Sequence, residues 1–180
     1  MGADADADRD PNPDVEAPPG YTVDRLDTDD AGAAAALWVE LAAGQRDHGS
    51  HLLAPANRQR VRETMLRHAA AATAFVARDG TDVVGFVTFG TESEGYAQDV
   101  DRGVVHNLYV RPTDRGDGVG SALLAAAEAA LADRGVGAVA LQAMADNEAA
   151  RRFYHRHGYE PHRVELEKSV ESDTLTTDDR

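Results

Sequence analysis

A glycine-rich segment lies in the second half of the chain, between a predicted strand and a predicted helix. It reads Val110-Arg-Pro-Thr-Asp-Arg-Gly-Asp-Gly-Val-Gly-Ser121. Gly116, Gly118 and Gly120 let the backbone approach a ligand closely, because no Cβ atom stands in the way. The amides at the start of the following helix have no acceptor within that helix and point along its dipole. The segment therefore predicts an anion site suited to phosphate, to which Arg115 adds a positive charge.

Two common phosphate-binding loops do not fit this segment. A Walker A loop requires G-x-x-x-x-G-K-[ST], whereas the only lysine of the chain is Lys168. A dinucleotide fingerprint requires G-x-G-x-x-G. Its third glycine position falls on Ser121 when counted from Gly116, and on Leu123 when counted from Gly118. Taken alone, the segment is equally well explained as a glycine-rich turn without a ligand.

A second motif, Asn147-Glu-Ala-Ala-Arg-Arg-Phe-Tyr-His-Arg-His-Gly-Tyr159, follows the next predicted strand. Together with Arg115-x-x-Gly118-x-Gly120 and the strand end Leu108-Tyr-Val-Arg-Pro112, it resembles the GCN5-related N-acetyltransferase (GNAT) family. The family patterns are L-x-V-x-P, R/Q-x-x-G-x-G/A and N-x-x-A-x-x-F-Y-x-x-x-G-F/Y. The resemblance is close over residues 104–160, and elsewhere it rests on the order of the elements.

The resemblance implies a fold and a cosubstrate. The expected fold is α/β (α+β), with a mixed, mostly antiparallel sheet of six to seven strands. This sheet would be splayed between strands 4 and 5 and flanked by about four helices. Acetyl-CoA would lie in the splay, with its pyrophosphate on the glycine-rich segment. The Val110 N–H would polarise the thioester carbonyl as an oxyanion hole does, and Asn147 would touch the pantetheine arm.

The cosubstrate-binding residues that the resemblance implies are Leu108, Tyr109, Val110, Arg115, Gly116, Asp117, Gly118, Val119, Gly120, Ser121, Asn147 and Tyr154. Asp117 departs from the family, which usually carries a basic or neutral residue there. The site would therefore rely on backbone dipoles rather than on net charge.

The implied reaction is direct attack of an amine on acetyl-CoA, since the chain has no Cys to carry an acetyl group. Tyr154 is the candidate acid for the leaving thiolate; the alternative is a core aromatic like Phe153. His106 is the candidate base, and a histidine satisfied within the sheet is the alternative. A strand bulge would instead turn Asn107 or Tyr109 toward the site. Further candidates, each more simply explained as a solvated residue or an acceptor contact, are Glu92, Glu94, His48 and His51.

The elements that position these residues alternate along the chain. Apolar spacing and turn signals predict strands at 21–25, 73–78, 82–90, 103–110, 136–143 and 159–167. Helices are predicted at about 30–43, 57–70, 118–133 and 147–157, the last capped by Asp146. An Asp79-Gly80 turn predicts a β-hairpin. The order of elements after residue 100 favours a mixed sheet with helices on its faces.

Composition narrows the class of protein. The 180 residues carry 32 Asp and Glu against 18 Lys and Arg, a net charge of −14, and no Cys. An acidic chain lacks the basic footprint of nucleic-acid binders, and no apolar run approaches the length of a transmembrane helix. We therefore expect a cytoplasmic protein without nucleic-acid, membrane or metal partners. Carboxylates hold water and ions well, whereas Lys exposes an apolar stem, so the Asp excess favours a halophilic host with high internal salt. The alternative is an acidic mesophilic protein with a high-GC, Ala-rich composition.

We expect one acetyltransferase domain at residues 21–168, between a disordered acidic tail at 1–20 and a flexible acidic tail at 169–180. The expected function is N-acetyltransfer from acetyl-CoA to an amine within a ternary complex. A non-catalytic acetyl-CoA-binding sensor or scaffold module is the alternative. The sequence leaves open whether the acceptor is an amine-bearing small molecule or a protein amine, and whether the chain forms a homodimer.

Overall fold

The computed structural model describes residues 15–92 and 98–170. Its strands are β1 (Tyr21–Arg25), β2 (Ala74–Asp79), β3 (Asp82–Thr91), β4 (Arg102–Val110) and β5 (Ala138–Leu141). Its helices are α1 (Ala31–Arg46), α2 (Arg58–Ala70), α3 (Val119–Ala132) and α4 (Glu148–Arg156), with short 3₁₀ turns at Pro55–Asn57 and Pro112–Asp114. These elements appear in the predicted order, and only the predicted final strand has no counterpart.

The described strands form one sheet in the order β1-β2-β3-β4-β5. Neighbours from β1 to β4 pair antiparallel, and β4 pairs with β5 parallel. The predicted hairpin is confirmed as β2 and β3, joined through Gly80 at a φ of +56°. The mixed, mostly antiparallel sheet is also confirmed, with five strands in the described residues where six to seven were expected.

The strand predicted at 159–167 is wrong. Residues 159–170 are irregular, and Val164, Leu166 and Val170 are 83%, 90% and 93% exposed. Alternating apolar residues form a strand only when the surface they bury offsets the entropy of ordering the chain. Three apolar side chains offer about 1.5–3 kcal/mol each. Ordering ten or so residues costs about 1–2 kcal/mol each, so burial of these three does not hold the segment on a sheet edge.

Helices cover both faces of the sheet, and each face has its own core. The face toward α3 is built mainly from Phe75, Val87, Phe89, Val105, Leu123, Leu124 and Leu131, which are buried. The face toward α1 and α2 is built mainly from Leu37, Met65, Val76, Phe86 and Tyr109. Period-2 alternation along the strands divides their side chains between the two faces. The sheet thus lies between two helical layers.

The described part of the N-terminal segment lies on the domain. Val15 and Ala17 pack against the core on the α3 face, and the Pro18 carbonyl accepts a hydrogen bond from the Tyr21 N–H at 3.0 Å. The rest of the expected tails, 1–14 and 171–180, lies outside the described residues. In the described ranges, the helices are too short or too polar to cross a membrane.

Candidate active site

A bulge in β4 places the candidate base. Thr88 lies opposite Asn107 and Phe89 lies opposite Val105, so His106 is an extra residue with no partner in β3. Such a bulge bends the strand and redirects its side chains. The His106 ring lies 6.4 Å from the ring of His68 on α2. A Cβ at Gly90 would come within 3.3 Å of His106 Nε2, so this glycine leaves room for the ring.

The sheet opens at the same bulge. Pairing of β4 with β5 runs from Arg102 opposite Ala138 to Val105 opposite Leu141 and stops there. Within the described residues, β4 has no strand partner on this side from residue 106 to residue 110. The expected splay between strands 4 and 5 therefore begins one residue after the last β4–β5 pair.

Two backbone amides point into this opening. The Arg111 N–H donates to the Val84 carbonyl on the β3 side at 2.9 Å. Because backbone groups alternate along a strand, the N–H groups of Val110 and Leu108 point to the opposite, open side. The Val110 carbonyl accepts from Arg115 Nε at 2.8 Å. The unpaired side of β4 thus offers two N–H donors, those of Leu108 and Val110, at the positions where the resemblance places the cosubstrate.

The glycine-rich segment forms a tight entry to α3. Gly116 and Gly118 have φ values of +96° and +91°, and Gly118 is the N-cap of the helix. The first hydrogen bond of the helix runs from the Ala122 N–H to the Gly118 carbonyl at 3.0 Å. The amides of Val119 and Gly120 precede it and have no acceptor in the helix. This geometry is that of an anion site at a helix start.

Charged side chains near this entry are turned to protein partners. The Arg115 guanidinium lies 5.4 Å from the Tyr109 ring centroid, in addition to its bond to Val110. The Tyr21 hydroxyl donates weakly to carboxylates of Asp114 and Asp117 at 3.4 and 3.5 Å. Arg115 thus braces the end of β4, and the candidate anion site consists chiefly of backbone amides.

Helix α4 packs on the first turn of α3. Its N-cap is Asn147, whose Oδ1 accepts from the Ala150 N–H at 3.0 Å, so the prediction that Asp146 is the cap was wrong. A cap side chain must lie directly before the first turn, which only Asn147 does. A Cβ at Gly120 would lie 3.6 Å from the Phe153 ring and 3.7 Å from Val110. The end of β4, the start of α3 and α4 therefore meet at one point.

Tyr154 lies beside this junction and packs against the core on the α3 face. Its ring makes edge contacts with Phe153 and Tyr159, at centroid distances of 5.3 and 5.8 Å. Burial raises the pKa of the Tyr154 phenol above its ordinary value. The Tyr159 hydroxyl, by contrast, donates to Glu128 on α3 at 2.7 Å. The phenol of Tyr154 therefore stays protonated through the neutral pH range.

His106 and His68, whose rings lie next to each other, both have pKa values below that of an ordinary histidine. Burial lowers the pKa of His106. Burial, followed by the neighbouring His106 and Arg67, lowers the pKa of His68, whose Nδ1 lies 2.7 Å from the Thr73 hydroxyl. Both rings are therefore neutral near pH 7. His68 had no signal in the sequence, because only the packing of α2 on the sheet brings it to the bulge.

The alternatives to His106 are engaged elsewhere. Asn107 Oδ1 accepts from Trp38 Nε1 on α1 at 3.2 Å, and its Nδ2 donates to Thr88 at 2.8 Å. The Tyr109 hydroxyl donates to Glu40 at 3.0 Å. Both side chains therefore face α1.

The remaining acids and histidines suggested by the sequence are scattered. Glu92 forms an ion pair with Arg102 at 2.8 Å, and both side chains are mostly buried. His51 lies 2.8 Å from Glu167 on the surface. His48 lies in the same loop as His51, and Glu94 is outside the described residues. No group of three or more metal-ligating side chains occurs among the residues that the structure describes.

Comparisons with known proteins identify the family and the fold of the chain. A family model described as "Acetyltransferase (GNAT) family" matches residues 35–159. The crystal structure of a GCN5-related N-acetyltransferase from Ralstonia eutropha JMP134 is 28% identical, with a TM-score of 0.67 over 84% of this chain and 99% of that one. A comparison with curated protein sequences finds no match.

Two more distant structures share the fold. The PaiA N-acetyltransferase from Thermoplasma acidophilum, in complex with coenzyme A, is 15% identical with a TM-score of 0.68 over 81% of this chain and 92% of that one. Aminoglycoside N-acetyltransferase AAC(6')-Iy, in complex with CoA, is 15% identical with a TM-score of 0.62 over 83% of this chain and 95% of that one.

Proposed function

Since the chain belongs to the acetyltransferase (GNAT) family, we propose that it moves an acetyl group from acetyl-CoA to an amine by direct attack within a ternary complex. One observation carries the proposal. The open side of β4, which begins after Val105, leads directly to the unpaired amides at the start of α3. A thioester arm and a pyrophosphate thus have adjoining sites within 16 residues of chain, 106–121.

The backbone supplies most of the binding in this proposal. The amides of Val119, Gly120 and Ser121 donate to the pyrophosphate, helped by the dipole of α3. The Leu108 backbone pairs with the pantetheine arm as an added strand would. The Val110 N–H donates to the thioester carbonyl oxygen, where negative charge develops during attack.

Two side chains, those of His106 and Tyr154, carry out the proton transfers in this proposal. The amine nitrogen bonds to the carbonyl carbon and loses a proton to His106, directly or through a water. The carbon–sulfur bond breaks, and the sulfur takes a proton from the Tyr154 hydroxyl. His106 then releases its proton to solvent, and the Tyr154 phenolate recovers one. Burial lowers the pKa of His106 and raises the pKa of Tyr154, so the imidazole begins neutral and the phenol begins protonated, as these roles require.

The test is release of free CoA thiol from acetyl-CoA with a panel of amines, at molar and at low salt. Tyr154→Phe should lower kcat roughly 100-fold with little change in the KM for acetyl-CoA. Tyr159→Phe is the matched control, because that hydroxyl is held by Glu128, and should keep turnover within about twofold.

The outcomes separate the competing functions. CoA binding without thiol release from any amine in the panel would favour the non-catalytic sensor or scaffold. Full turnover by Tyr154→Phe would remove Tyr154 from the acid role. A protein that does not bind CoA would overturn the proposal.

A further inference from the structure

The sheet has two edge strands, β1 and β5, and their sequences differ in how well they protect an open edge. Strand β5 pairs with β4 alone among the described residues, so the backbone groups on its outer side have no strand partner. An open row of N–H and C=O groups is a template for another strand, and proteins commonly block it with charges or prolines. In β1, Asp24 and Arg25 are charged, and Pro18 and Pro19 come just before the strand.

The sequence around β5 lacks these protective features. Residues 135–145 contain no charged residue, no His and no Pro, although 28% of the whole chain is charged. All four residues of β5 are partly exposed, and Val139 and Leu141 are only partly buried against the core on the α3 face. The strand therefore presents an uncharged, apolar edge, whose backbone groups and side chains an added strand would cover.

Residues 160–170, the C-terminal segment of the described chain, have the pattern of a strand but lie exposed. Charged and apolar residues alternate from Arg163 to Glu167, and the apolar ones are Val164 and Leu166. In an extended conformation these two side chains share one face. They are 83% and 90% exposed, and the segment belongs to no helix or strand of the described structure. Exposed apolar residues that share a face in this way mark a surface that a partner covers.

The C-terminal segment is fixed to parts of its own chain other than β5. The Tyr159 hydroxyl, just before it, donates to Glu128 on α3 at 2.7 Å. Near its other end, Glu167 Oε1 lies 2.8 Å from His51 Nε2 in the loop between α1 and α2. Among the described residues, no strand pairing joins the segment to β5. The chain thus presents an open edge and a strand-like segment separately, an arrangement from which two copies can exchange segments.

The distribution of charge allows a second copy of this chain to be the partner. Each copy carries a net charge of −14, so two copies repel each other through their net charges. The C-terminal segment, however, has three acidic and two basic residues, a net charge of −1 with its His neutral, and residues 135–145 are uncharged. The segment and the β5 edge can therefore meet with little repulsion, and salt screens the repulsion between the rest of the two copies.

We propose that two copies of this chain form a symmetric dimer, in which the C-terminal segment of each copy pairs with the outer edge of β5 of the other. Each sheet then gains a sixth strand, and Val164 and Leu166 become covered. Because the exchange is reciprocal, the contact closes on two copies and does not propagate. It also brings the two domains into contact, which adds burial that a single chain lacks. The inference does not depend on the proposed function, since these residues have no part in the acetyl-CoA site.

The mass of the full-length protein in solution is the first test. Light scattering during gel filtration, at molar and at low salt, should give twice the chain mass of 19.2 kDa. A folded wild type that remains a monomer at both salt concentrations, at up to about 100 μM protein, overturns the inference.

A charge on the apolar face of the segment should separate the copies. Leu166→Asp should weaken the dimer at least about 100-fold, because a symmetric dimer contains the substitution twice. The monomer should stay folded, since this side chain is 90% exposed. Thr22→Asp is the matched control, because it adds the same charge at an exposed position on β1, the opposite edge, and should change the dissociation constant by no more than about twofold. Equal dissociation constants for the two variants contradict the proposal.

Introduced cysteines decide which copy supplies the segment, because the chain has no Cys of its own. Ala140→Cys on β5 is combined in turn with Val164→Cys, Glu165→Cys, Leu166→Cys and Glu167→Cys, because a disulfide requires Cα atoms within about 7 Å. At least one pair should give a disulfide-linked dimer on a non-reducing gel, and Ala140→Cys alone should not. A disulfide within one chain would show that the segment pairs with its own β5. A dimer that none of the pairs links would use another surface. Either result overturns the inference.

Discussion

Two glycines of one motif should respond in opposite ways to the same substitution. Gly118 has a φ of +91°, and a Cβ there would lie 3.3 Å from Pro18 Cγ. Gly120 lies inside α3, and a Cβ there would make ordinary contacts of 3.6 Å with Phe153 and 3.7 Å with Val110. The Cβ at residue 120 would thus fill space between β4 and α4 rather than cover the amides of the anion site.

The magnitudes follow from these positions. An Ala in the left-handed region costs about 1–2 kcal/mol, so Gly118→Ala should lower the free energy of unfolding by that amount. Within a helix, Ala is favoured over Gly by about 0.5–1 kcal/mol, so Gly120→Ala should raise it. The two variants should differ by about 1.5–3 kcal/mol, which is roughly 3–12 °C in melting temperature for a domain of this size.

Chemical denaturation and thermal melts measure the stabilities, and calorimetry with CoA measures the site. Gly118→Ala should also weaken CoA binding at least about tenfold, because the shifted helix start loses one hydrogen bond to a charged ligand. Gly120→Ala should bind CoA within about twofold of the wild type. Equal stabilities of the two variants, or loss of CoA binding by Gly120→Ala alone, would refute the reasoning.

Other substitutions test the core and the proton carriers. Gly103→Ala should cost about 1–3 kcal/mol of stability, since its Cβ would lie 2.7 and 2.8 Å from the Leu131 methyl groups; an unchanged denaturation midpoint contradicts this. His106→Gln should slow turnover and abolish the acid limb of the pH–rate profile. That limb should lie below pH 6.5 in the wild type, because burial lowers the pKa of the ring and the base acts only when neutral. A limb that persists in the variant excludes His106 as the base. Tyr159→Phe should lose about 1 kcal/mol with its hydrogen bond to Glu128, and an unshifted thermal melt would count against that contribution.

Local signals predicted most of the elements because they act within a few residues. Gly118 is the N-cap of α3, and the Asp79-Gly80 signal marks the β2–β3 hairpin, whose turn residues are Gly80 and Thr81. Local signals gave a wrong prediction where the structure of a segment depends on whether another part of the chain pairs with it. Residues 159–167 alternate as a strand does, but in the described structure they lie on no sheet edge. The cap of α4 was misplaced by one residue, from Asn147 to Asp146, because both types cap helices equally well.

The candidate site likewise has one part that follows from local sequence and another that only the tertiary structure determines. The sequence predicts an anion site because glycines and a helix start lie within six residues, 116–121, and backbone amides need no distant partner. The family resemblance likewise depended on two short motifs. Only the tertiary structure shows that His106 is the bulged residue, because a bulge is defined by the pairing of β4 with β3, and His106 has no partner there. It also decided that His68 faces His106 and that His157 reaches Ser121, 36 residues away in the chain. Such contacts depend on how helices pack on the sheet, and no spacing within one segment encodes them.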